Sequence, residues 1–201
     1  MHHNNNMVDP YNITNYNRTH EELEELILFC SCVAGKTAYI QAKHLETFLS
    51  YKTDGSPFQK INSMIEEGSL LDNLQSSKIG QYKKLLTTFS QLATSGIDLK
   101  TCSTDKLEAF HGIGPKTSRF FIVHTRPNQN YAILDTHILN FIRQELGIDV
   151  PKSTPSSIKM YLNIEKIFLD YVKRSNRDMA EFDLEIWKNQ SRKNKEVYAN
   201  E

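Results

Sequence analysis

The stretch from Ser103 to Val123 constrains this chain more than any other. Ser103 or Thr104 can cap a short helix that ends near Phe110. His111-Gly112-Ile113-Gly114-Pro115-Lys116-Thr117 follows, and then an apolar helical run. Glycine enters the left-handed region without a Cβ penalty, so two glycines around one residue allow a tight reversal. Proline has no N–H and a preset φ, which suits Pro115 to the first position of the second helix. The segment therefore reads as a helix, a glycine hairpin and a helix. The first turn of that second helix leaves backbone N–H groups unpaired at the positive end of the helix dipole, a seat for an anion such as a DNA phosphate.

The rest of the chain repeats apolar residues at helical spacing. Helices are predicted over 20–34, 37–49, 58–67, 78–94, 155–174 and 178–190, with Leu23, Leu26, Ile27, Cys30 and Ala34 on one face of the first. Thr19 is its candidate N-cap, and Asp54-Gly55-Ser56-Pro57 breaks the chain after the second. Tyr131–Leu134 alone resembles a strand and is too short to found a sheet. The opening residues 1–7 and the final dozen are polar and expected to be loose. The predicted class is all-α.

Composition removes several alternatives. Apolar residues make up 39% and charged residues 24%, enough for a core and against wholesale disorder. No apolar run approaches the roughly 18–20 residues of a membrane span, and no secretory leader is recognisable. Cys30, Cys32 and Cys102 supply neither a disulfide framework nor a four-cysteine metal or iron–sulfur set, which fits a reducing compartment. Basic and acidic residues balance, 24 against 24, which excludes a globally basic DNA-coating protein. Local charge differs. From Ala109 to Leu134 there is no acidic residue, while Lys116, Arg119 and Arg126 are present. Downstream, Asp135 stands before a periodic helix with Ile138, Leu139, Ile142 and Leu146, in the N-cap position.

The run Leu107-Glu-Ala-Phe-His-Gly-Ile-Gly-Pro-Lys-Thr117 followed by Leu134-Asp-Thr-His-Ile138 resembles the helix-hairpin-helix (HhH-GPD) DNA glycosylases of the endonuclease III superfamily. Order, approximate spacing and helical context agree, and weaker similarity spans residues 20–190. The resemblance implies a two-lobed helical fold with a DNA-binding cleft between the lobes. Residues 32–127 would form a helical barrel carrying the hairpin at about 104–124. Residues 1–31 and 128–201 would form a second lobe carrying Asp135.

The resemblance also implies roles. Lys116 holds the position of the lysine that attacks the sugar C1′ in bifunctional members. A lysine is a nucleophile only when neutral, which a positive helix start and partial burial favour. The bland alternative for Lys116 is a phosphate clamp. Asp135 matches the catalytic aspartate, whose carboxylate can stabilise oxocarbenium charge and help deprotonate the nucleophile. Gly112, Ile113, Gly114, Thr117 and Arg119 would contact DNA. Lys36, Gln81 and Tyr82 fall in the loops that fill the void left by an extruded base. Phe182 and Trp187 lie in a stretch similar to the last helix of the 8-oxoguanine branch. Phe182 is a candidate for stacking on the base, and Trp187 reads better as core.

There are departures from the family pattern. The iron–sulfur cysteines are absent, so no cluster is expected. His111 replaces a proline, and the usual glutamine-bearing loop reads Ala34-Gly35-Lys36-Thr37. Gly35-Lys36-Thr37 is not a nucleotide-binding loop, because Cys30 stands where the first glycine belongs and no strand precedes it. The histidines form no zinc motif. No cofactor is expected beyond a possible monovalent cation at the hairpin.

The predicted function is a base-excision DNA glycosylase with abasic-site lyase activity. It would act through a lysine Schiff base and β-elimination on an oxidised base, 8-oxoguanine-like in preference to an oxidised pyrimidine. The alternatives are a non-catalytic helix-hairpin-helix DNA-binding module and a relative acting in modified-base metabolism. The expected partner is double-stranded DNA with a damaged base or abasic site. The chain is expected to be a monomer without membrane association, located in the cytoplasm at the nucleoid or in the nucleus.

Overall fold

A computed structural model describes residues 8–198, with side chains to residue 190. The first seven residues, expected to be loose, lie outside the described residues. Ten helices are present among those described: α1 (His20–Cys32), α2 (Ala38–Ser50), α3 (Pro57–Glu66), α4 (Leu70–Ser76), α5 (Tyr82–Thr94), α6 (Thr104–Glu108), α7 (Pro115–Thr125), α8 (Thr136–Glu145), α9 (Ile158–Arg174) and α10 (Met179–Tyr198). No strand occurs among the described residues, and residues 131–134 belong to neither helix nor strand. No described helix is long and apolar enough to cross a membrane.

Local chemistry sets the helix starts. Thr19 and Glu22 form a reciprocal capping box on α1, with Glu22 N–H donating to Thr19 Oγ1 and Thr19 N–H to Glu22 Oε2. Ser56 and Gln59 do the same for α3, with Pro57 in its first turn. Helix α5 begins four residues later than the periodicity predicts. Lys78, Gly80 and Gln81 all have positive φ, which interrupts a right-handed helix. Helix α4 escaped prediction because its seven residues are too few to display a helical period. The polar C-terminal stretch remains helical to Tyr198 rather than loosening near residue 190.

Contacts divide the chain into two compact units, with the boundary between Gly114 and Pro115. Helix α1 packs with α2, α3 and α5 in the first unit. The division expected from the family resemblance instead has its boundary at residue 127 and groups residues 1–31 with the C-terminal part. In the first unit, α5 packs on α1, α3 and α4 around Leu26, Phe29, Leu45, Phe48, Ile61 and Phe89, all essentially inaccessible to solvent. In the second, α7, α8, α9 and α10 enclose Val123, Leu134, Leu139, Ile142, Tyr161 and Phe168.

The first unit carries an acid whose ionisation opposes folding. Burial pushes the Glu25 carboxyl up to about 7; a hydrogen bond from the Val8 backbone and the charge of Lys60 act against this, and Glu46 and Glu22 add to it. The folded chain holds this proton to about pH 7, whereas an unfolded glutamate releases it near its ordinary value of 4.5. Stability from this group is therefore greatest at low pH and declines as pH rises through about 7. Glu25→Gln is expected to flatten that decline and to exceed wild type in unfolding free energy by about 1–3 kcal/mol at mildly alkaline pH. Denaturant melts across this range check it, and parallel profiles for the two proteins would refute the assignment.

Candidate active site

Lys116 is the second residue of α7, half-buried and immediately after Pro115. Asp135 lies at the N-cap of α8. Its Oδ1 accepts hydrogen bonds from His137 N–H at 2.8 Å and Ile138 N–H at 2.9 Å. Both residues belong to the second unit, and their charges interact. The carboxylate that the sequence pattern assigns to chemistry thus also caps the helix.

The environment of Asp135 raises its proton affinity. Burial is the main cause, and the nearby Asp183 carboxylate adds to it. The backbone N–H of Ile138 and the charges of Lys116 and His137 act in the opposite direction. Asp183, on α10, is buried, and its Oδ2 lies 3.2 Å from Nε2 of the fully buried His124 on α7. Sequence reading gave neither residue a place here, because no local pattern links an acid on α10 to α7 or α8.

Arg119 requires a correction. Expected among the DNA contacts, it is only 5% exposed. Its Nε and Nη2 donate to Glu165 Oε1 and Oε2 at 2.7 and 3.2 Å. A guanidinium held by a buried carboxylate is not presented to a phosphate. Phe182 is corrected in the same way. It is 3% exposed and packs against Phe141, Phe168 and Tyr171, with ring centroids 5.4–6.1 Å away, so the core already takes the faces a flipped base would need. Trp187 is half-buried. Thr117 is half-buried in the first turn of α7.

The remaining candidates lie in the first unit. Gly112 has φ +75°, and a Cβ there would come within 2.6 Å of Lys84 Cε and 3.0 Å of Thr88 Oγ1. The left-handed φ favours glycine, and a Cβ would require the Lys84 and Thr88 side chains to give way. Thr88 Oγ1 also donates to His111 O at 2.6 Å, and Gln91 Oε1 accepts from His111 N–H at 2.8 Å, which ties the turn to α5. The Ile113 side chain is buried and its N–H donates to Phe110 O. Gly114 is partly exposed at the end of the turn.

Two loops of this unit are stitched together. The buried Gln41 donates from Nε2 to Cys32 O at 2.8 Å and to Ile79 O at 2.9 Å. Gln81, left-handed at the N-cap of α5, donates from Nε2 to Cys32 O and accepts from Lys84 Nζ. Lys36 is exposed, and its Nζ lies 3.9 Å from where a Cβ on Gly80 would stand. Tyr82 is half-buried at the start of α5. Lys36, Gln81 and Tyr82 are thus gathered in one region. No group of three or more His, Cys, Asp or Glu among the described residues could hold a metal ion.

Comparisons with known proteins agree with this architecture. The family model Ogg-HhH, described as 8-oxoguanine DNA glycosylase, matches residues 4–177. A protein of Fusobacterium nucleatum named 8-oxoguanine DNA glycosylase/AP lyase is 37% identical over 78 residues, which is 38% of this chain and 35% of that relative's length. One of the same name from Korarchaeum cryptofilum is 25% identical over 170 residues, 85% of this chain and 80% of its own. Among solved structures, the Methanocaldococcus jannaschii 8-oxoguanine glycosylase/lyase in complex with a 15mer DNA containing 8-oxoguanine superposes with a TM-score of 0.61 at 24% identity, over 87% of this chain and 83% of that one. A second structure of the M. jannaschii enzyme gives the same score at 22% identity. The all-helical fold is that of these enzymes, and with a family match running from residue 4 to residue 177 the chain belongs to the helix-hairpin-helix 8-oxoguanine DNA glycosylases.

Proposed function

We propose that the chain removes an oxidised purine from double-stranded DNA and then nicks the strand, with Lys116 as nucleophile and Asp135 as its electrostatic and acid–base partner. The observation that carries the reading is a lysine in the first turn of α7, just after the glycine hairpin, together with a carboxylate fixed at the N-cap of α8 by the N–H groups of His137 and Ile138. Family membership supports the reaction class.

In this reading the electron pair of Lys116 Nζ attacks C1′ as the glycosidic bond breaks, and the electron pair of that bond departs with the base. The ionised Asp135 stabilises positive charge at C1′ and then takes a proton from the new ammonium. Its raised proton affinity suits that second task. The C1′–O4′ bond then breaks, O4′ taking its electron pair and the proton held by Asp135, while the nitrogen electron pair forms a protonated imine between C1′ and Nζ. Water then takes a C2′ proton, the freed electron pair forms a C2′–C3′ double bond, and the 3′ phosphate leaves with the C3′–O electron pair.

The backbone of Gly112–Gly114 is assigned to a DNA phosphate, and Thr117 is assigned to a DNA contact. Lys36, Gln81 and Tyr82 are assigned to the void left by the extruded base. Such an enzyme works where the DNA is, at the nucleoid or in the nucleus.

Borohydride reduction of the imine tests the reading. On duplexes carrying an abasic site or 8-oxoguanine, a covalent protein–DNA adduct is expected, with less on thymine glycol. Tight binding without an adduct on any duplex would favour the DNA-binding module.

A further inference from the structure

We propose that Arg119, Glu165 and Tyr161 form a buried brace that sets Asp135 in register with Lys116. They would be positioning residues for the reaction rather than participants in it. The inference rests on the assignment of Lys116 and Asp135 as the reacting groups.

The brace can be traced bond by bond within the second unit. Arg119 lies one turn beyond Lys116 on α7, and its Nη1 donates to Pro115 O at 3.3 Å. Its Nε and Nη2 grip both oxygens of Glu165 on α9. Glu165 Oε1 also accepts from Ala132 N–H at 2.9 Å. One turn earlier on α9, the Tyr161 hydroxyl donates to Ala132 O at 2.8 Å and accepts from Leu134 N–H at 3.1 Å. Thr154 Oγ1 donates to Leu134 O at 2.8 Å. The path starts at the residue before Lys116 and ends at the residue before Asp135.

Segment 131–134 belongs to no helix or strand, so its backbone groups need partners from elsewhere. Side chains of α9 and Thr154 supply them. The buried cation is further compensated by aromatic faces, with the guanidinium carbon 4.9 Å from the Tyr161 ring centre and 5.4 Å from that of Tyr131.

Stability alone does not account for this arrangement. Taking both charges of a pair out of water costs several kcal/mol per ion, and well-packed apolar residues of similar volume are often as stable or more so. A planar guanidinium gripping a carboxylate that also holds a backbone N–H does something an apolar pair cannot: it fixes register. Register matters because a displacement of about 1 Å at reacting atoms can cost about 100-fold in rate.

The test compares the Arg119→Met/Glu165→Leu double variant and Tyr161→Phe with wild type. Melting temperature, affinity for a duplex carrying a tetrahydrofuran abasic analogue and single-turnover strand cleavage are read in parallel. The double variant leaves Ala132 N–H without its carboxylate partner, so it is expected to fold but to melt somewhat below the wild-type temperature and to bind within about threefold, while cleavage slows by about 10–100-fold. Tyr161→Phe is expected to slow cleavage by about tenfold at unchanged affinity. Arg119→Lys should not restore the rate, because an ammonium cannot make the two-point grip.

A folded double variant that cleaves at the wild-type rate overturns the brace, as does a rate loss matched by an equal loss of affinity. If the double variant does not fold, the rate of Tyr161→Phe decides. Lys116→Gln run alongside separates the two levels. If Lys116→Gln is inactive while the brace variants cleave normally, only the brace falls. If it still cleaves, the site assignment and the brace fall together.

Discussion

Lys116→Gln is expected to abolish the borohydride-trapped adduct on abasic DNA and to lower strand cleavage by at least about 100-fold, while affinity for the same duplex stays within about tenfold. Glutamine keeps much of the length and polarity of lysine but has no electron pair able to attack C1′. It therefore removes the step that makes the imine and leaves packing at the half-buried start of α7 largely in place. The competing role, a phosphate clamp, predicts the opposite split. Without its ammonium a clamp would hold the duplex more weakly, and the salt dependence of affinity would fall by about one counterion, with activity dropping in proportion to occupancy. Measuring cleavage at saturating enzyme separates the two, since a clamp variant recovers its rate there and a variant without its nucleophile does not.

Much of this site was legible in the sequence because its signals are local. Gly112 takes a left-handed φ that favours glycine, Pro115 opens α7, and Asp135 caps α8. Each is announced by a residue type within a few positions of where it acts. What could not be read depends on partners far along the chain. Arg119 sits in a stretch without acidic residues and looked like part of a basic face, yet its carboxylate partner comes from α9. Counting charges along the sequence treats every cation as solvated and misses a buried pair. Phe182 was ambiguous for a similar reason, since an aromatic at helical spacing serves a pocket or a core equally well. The ring cluster with Phe141, Phe168 and Tyr171 decides for core. The late start of α5 was hidden too, because Lys78 and Gln81 adopt a left-handed conformation that their side chains do not advertise.

Asp135→Asn should separate activity from stability in the opposite sense to an ordinary buried substitution. Asparagine caps helices about as well as aspartate, so the hydrogen bonds to His137 and Ile138 N–H can persist. The change also removes a charge that burial and Asp183 disfavour. A carboxyl whose folded pKa lies above its unfolded value holds its proton more tightly when folded. Its contribution to stability is greatest below the unfolded value of 3.8 and declines as pH rises through the folded one. The variant is therefore expected to melt at or above the wild-type temperature at neutral pH, and the gap should close as the solution is acidified. Base excision should nonetheless fall by about 100-fold or more, because a neutral amide neither stabilises positive charge at C1′ nor accepts a proton from Lys116. Asp135→Ala is the companion measurement. It loses the cap as well and should cost about 0.5–2 kcal/mol of stability. An Asp135→Asn protein with normal excision would remove this carboxylate from the mechanism. One that is inactive but also markedly destabilised at neutral pH would show that the ionised cap matters chiefly to the fold.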